Sequence, residues 1–106
     1  MNEIKSLIDK MNYIIENLYN TEINIYKEIQ GIIAPINDIY VEFVSIIPKL
    51  NNIGINIDSN GVINQLKKMM DGIEKKDKVL LFDSLNYEIK DTLEYYGEIL
   101  KIMNEG

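Results

Sequence analysis

Apolar residues return at every seventh position near the start of the chain, at Ile4, Met11, Leu18, Ile25 and Ile32. Ile8, Ile15 and Ile29 fill the companion positions, with Glu22 the exception. A seam repeating every ~3.5 residues belongs to helices that pack side by side; a strand would alternate with a period of two. The pattern predicts one long helix over Asn2 to Ile33. Leu7 and Ile14 broaden its stripe, so the first half should be the more deeply buried. Asn20-Thr21 is a weaker spot where that helix could bend. In a chain this short such a helix packs within its own bundle, with a homodimeric coiled coil as the alternative.

Gly31 and Pro35 bracket the next expected break, since Gly suits a helix C-cap and Pro the first turn of a following helix. A kinked continuation is the alternative. The second helix is expected over Pro35 to Ile47, with Ile36, Ile39, Tyr40, Phe43 and Ile47 buried. Pro48 should end or kink it there. Lys49 to Asn60 reads as an extended connection whose isoleucines cover the end of the bundle. Asn56, Asp58, Asn60 and Gly61 mimic the start of a calcium-binding loop. The twelfth position, however, is Lys67, where the ion needs a bidentate Glu. Asp58 or Ser59 as a helix cap is the simpler reading. The third helix is expected over Ser59 to Glu74, with Val62, Ile63, Leu66, Met69, Met70 and Ile73 on its apolar face. Lys67, Lys68, Lys75, Lys76 and Lys78 make its end locally basic, which suits the carbonyl end of a helix.

The last helix, Asp77 to Met103, has the clearest start, with Asp77 as N-cap. At about 100° per residue, Phe82, Leu85, Ile89, Leu93, Tyr96, Leu100 and Met103 fall within one arc. Leu81, Thr92 and Ile99 lie at its edge. Leu80 and Tyr87 fall on the opposite, polar face. Glu88 lies at the core edge beside Tyr95, where a carboxylate needs a partner.

What the chain lacks removes several kinds of chemistry. It has no cysteine and no histidine, hence no thiolate nucleophile, no disulfide and no imidazole base or metal ligand. All its cations are lysines, so no guanidinium fork is available for phosphate. The net charge of −6 argues against nucleic acid and against anionic membrane surfaces. The opening residues lack the pattern of a secretory signal, and no apolar run approaches the ~20 residues of a membrane span. The expected location is the cytoplasm.

The run Asp77-Lys78-Val79-Leu80-Leu81-Phe82-Asp83-Ser84-Leu85-Asn86-Tyr87-Glu88 resembles the signature of a family of small bacterial helical proteins catalogued as a domain of unknown function. Asp77, Val79, Leu80, Leu81, Asp83, Leu85, Tyr87 and Glu88 stand on matching positions. Lys78 replaces an aromatic residue and Phe82 an alanine. The resemblance implies an intracellular helical domain and brings no activity with it.

The sequence therefore predicts a single all-α domain over residues 1–106. Its fold is an antiparallel bundle of four helices, or three if the first two are continuous. The expected function is non-catalytic, an adaptor or chaperone-like bundle that binds a protein partner. A structural homo-oligomer and a carboxylate-based enzyme or ligand-binding domain are the alternatives. Leu80, Tyr87 and Tyr95 are the candidate partner contacts, because aromatic groups combine apolar area with a polar handle. Glu88 is the candidate buried polar group. No catalytic, cofactor or metal residue is assigned.

Overall fold

The computed structural model describes residues 2–105. They form four helices, α1 (Asn2–Glu16), α2 (Ile25–Asn52), α3 (Ser59–Glu74) and α4. The last joins Lys78–Asp83, a π-helical stretch Ser84–Ile89 and Lys90–Glu105. Among the described residues there is no strand. Contacts between helices set their directions. Lys90 donates to Asn12 at 3.2 Å while Ile4 packs at Gly97, so α1 and α4 run antiparallel. Lys68 meets Glu88 and Gly72 abuts Leu81, which makes α3 and α4 a hairpin. Tyr40 donates to Gln65, and Asn51 holds the backbone of Ile57, so α2 and α3 are antiparallel as well. The product is an up-down-up-down bundle of 47 × 26 × 19 Å.

The first break lies elsewhere than the sequence suggests. The expected Asn2–Ile33 helix is two helices, parted at residues 17–24. Three asparagines give the backbone other partners there. The Asn17 side chain donates to the Tyr13 carbonyl, the Asn20 side chain accepts from the Glu22 amide, and Asn24 caps α2 by accepting from the Lys27 amide. The heptad seam survives because Leu18 is buried in the connection and Ile25, Ile29 and Ile32 resume on α2.

Conversely, neither Gly31–Pro35 nor Pro48 ends a helix; both prolines lie inside α2. A proline frees the carbonyl four residues before it. Gly31 and Pro35 are both exposed, so water can satisfy that carbonyl. Pro48 is exposed too. The helix instead ends at Gly54, whose φ of 93° few other residues adopt, with the Ile55 amide reaching back to the Leu50 carbonyl at 2.9 Å. Unbroken, α2 has 28 residues and is long and apolar enough to cross a membrane by length and composition alone, contrary to the sequence reading. In the bundle its Ile29, Ile32, Ile36 and Ile47 are core residues.

α3 has the expected limits and cap, Asp58 accepting from the Asn60 amide. Ile63 and Met70, expected on its apolar face, are exposed, while Val62 and Met69 are buried. In α4 the phase differs from a regular wheel. Leu81 is fully buried, Phe82 only half-buried, and Met103 is exposed. Leu81, Leu85, Ile89 and Leu93 are buried at successive four-residue steps. Three such steps overrun a period of 3.6 by about one residue. The π-helical stretch absorbs it, the Lys90 amide donating to the Leu85 carbonyl five residues back.

Candidate functional site

A concavity follows from small residues on two neighbouring helices. On α1, Glu3, Ser6, Leu7, Lys10, Tyr13 and Ile14 share one face. On α2, Gly31, Ala34, Pro35 and Asp38 stand opposite. Ser6, Gly31 and Ala34 have too little side chain to close the seam, and nothing lies within 4 Å of where a Cβ on Gly31 would be. The result is a groove of two joined hollows, about 590 and 420 Å³, which share Ser6 and Lys10. Its floor is the buried side of the bundle at Leu7, Ile14, Ile32 and Ile39.

The rim is acidic. Glu3, Asp9, Glu28, Asp38 and Glu42 line it and are exposed, against one cation, Lys10. Among the described residues the one ion pair is Lys68 with Glu88, so no rim carboxylate is held in an ion pair. Among the described residues no three carboxylates gather closely enough to hold a metal ion.

The residues singled out by sequence lie elsewhere and do not meet. Tyr87 is 62% exposed and its ring stands edge-on to Phe82 at 5.8 Å. Tyr95 is 45% exposed and stands edge-on to Phe43 at 6.4 Å. Eight residues separate the two tyrosines, roughly 12 Å of helix rise. Leu80, expected outward, is half-buried, because α4 reaches its π-helical stretch with Leu81 as the core residue.

Glu88 has the partner it was expected to need. It is half-buried and paired with Lys68 across the α3–α4 hairpin. That pair raises the Lys68 ammonium above the ordinary lysine range. Beside it, Gln65 accepts from the Tyr40 hydroxyl at 2.6 Å and from Thr92 at 2.7 Å. Burial pushes the Tyr40 hydroxyl well above the usual phenol range; the nearby Thr92 hydroxyl opposes this and the Glu88 charge adds to it. These groups satisfy one another and tie α2, α3 and α4 together, which is a structural cross-link. Ser84, at the start of the π-helical stretch, is fully buried and its hydroxyl has no partner among the described residues.

Sequence reasoning missed the groove because it took Gly31 and Pro35 as punctuation. The available signal was small residues at Ser6, Gly31 and Ala34 beside a heptad seam that otherwise carries large aliphatic groups.

A family model described as a domain of unknown function (DUF8042) matches residues 1–99. No curated protein and no solved structure matches the chain.

Proposed function

The chain belongs to this family, DUF8042, and we propose that it is a non-catalytic protein-interaction module. Its groove between α1 and α2 receives a helical segment of another protein. One observation carries the reading: a continuous concavity runs between the two helices from Glu3 to Tyr13 along α1, its base closed by the core residues Leu7, Ile14, Ile32 and Ile39. That length is about 15 Å, or three helical turns. Amphipathic helices dock in such grooves through anchors spaced one turn apart. The absence of histidine and cysteine supports a binding role over catalysis.

A second copy of the chain is a poor occupant. A two-fold contact through this face would set its acidic rim against the same rim on the partner. Such like-charge contact is costly.

The test is amide chemical-shift mapping during titration with amphipathic helical peptides. Perturbations centred on Ser6, Leu7, Lys10, Gly31 and Ala34 are expected. Perturbations centred on Tyr87 and Tyr95, or none at any peptide concentration, would overturn the reading.

A further inference from the structure

We infer that the occupant of the α1–α2 groove is a cationic amphipathic helix, an apolar stripe of about three turns with lysine or arginine at both ends. The inference rests on the groove reading above and adds the chemistry of the partner.

Charge placement carries it. Each hollow takes carboxylates from both walls: Glu3, Asp38 and Glu42 line one, Asp9 and Glu28 the other, with Lys10 shared between them. The floor between them is apolar at Leu7, Ile14, Ile32 and Ile39. Lys10 is the one cation among the lining residues against five carboxylates, so a neutral helix would leave the rim with excess negative charge, and an acidic helix would be repelled. A helix with cations beyond each end of its apolar stripe answers both walls at once. The small wall residues Ser6, Gly31 and Ala34 leave room for large aliphatic or aromatic anchors.

A cluster of lysines makes the end of α3 a poorer host for the same partner. Lys67, Lys75 and Lys76 lie exposed around the end of α3, with Lys78 at the start of α4. Repulsion there keeps a cationic helix off that end, while the net charge of −6 draws it to the protein.

Fluorescence anisotropy tests this with three peptides of one apolar stripe, flanked by lysine, glutamine or glutamate. The lysine peptide should bind at least about tenfold tighter than the glutamine peptide at low salt, the gap closing as salt is raised. Asp38→Lys combined with Glu42→Lys should weaken the lysine peptide and strengthen the glutamate peptide. That exchange of preference is not produced by unfolding, and thermal melts check the fold. Equal, salt-independent binding of all three peptides overturns the cationic inference and leaves the groove reading standing. No binding by any of them overturns both.

Discussion

Pro35 stands one helical turn after Gly31 on the exposed wall of α2, and the helix passes through the pair without ending. Pro35 has no amide to offer the Gly31 carbonyl, and Gly31 has no side chain to fill the groove beside it. Together they make the α2 wall low and leave an acceptor on it, where an ordinary helix of this length would present neither.

Gly31→Ala should therefore stabilise the bundle. A Cβ there meets nothing within 4 Å, so the variant gains helix propensity without a clash. Urea denaturation should show a gain of about 0.5–1 kcal/mol. A loss would mean that the wall is tighter than described.

Gly72→Ala should have the opposite sign. A Cβ at Gly72 would lie 3.0 Å from Leu81 Cγ and 3.3 Å from the Leu81 backbone nitrogen, in the α3–α4 hairpin. The side chain can yield but the backbone cannot, and overpacking of this kind outweighs the propensity gain. A net loss of about 1–2 kcal/mol by urea denaturation is expected.

Alkali should loosen the bundle from about pH 10 upward. The folded state raises the Tyr40 hydroxyl above its usual 10.0, so above that pH the folded chain holds a proton that the unfolded chain has lost. Stability then falls by about 1.4 kcal/mol per pH unit for one such group. Lys68 acts in the same direction. Its pKa is raised from 10.5 by Glu88, so its contribution is complete below that value and lost as pH climbs through the folded-state value. Tyr40→Phe should flatten the fall of stability by about half a proton equivalent at pH 10, rising towards one by pH 11. An unchanged slope would place the titrating group elsewhere.

Ser84→Ala should be neutral or stabilising by up to about 1 kcal/mol, because the buried hydroxyl it removes has no partner among the described residues. A loss beyond ~1 kcal/mol on thermal or urea denaturation would show that the hydroxyl has a partner in solution.

Much of this architecture is legible in the sequence because it follows from local chemistry. The caps at Asp58 and Asp77, the limits of α3 and the buried seam from Ile4 to Ile32 all depend on residue type and spacing. The first loop was harder to place. Gly31 and Pro35 look like stronger breakers than Asn17, Asn20 and Asn24, but the side chains of the three asparagines bind backbone in series, while Pro35 faces solvent and α2, held by its buried isoleucines, passes through it. The π-helical stretch was visible only as a run of four-residue steps from Leu81 to Leu93, and a regular wheel conceals that overrun. The groove depends on which faces of α1 and α2 oppose each other. That pairing is tertiary, and no spacing within either helix states it.

Thiol cross-linking tests the central claim most directly. The chain has no cysteine, so one introduced thiol is unique. A lysine-flanked amphipathic peptide whose apolar stripe carries a cysteine activated as a thiopyridyl disulfide, so that the protein thiolate displaces thiopyridone, would be offered to Ser6→Cys, Ala34→Cys and Val79→Cys, the last on an exposed residue of α4 outside the groove. Bound peptide concentrates its activated disulfide at the groove, so Ser6→Cys and Ala34→Cys should form mixed disulfides at least about tenfold faster than Val79→Cys. Equal rates at all three positions, or the fastest rate at Val79→Cys, would contradict a docking face between α1 and α2.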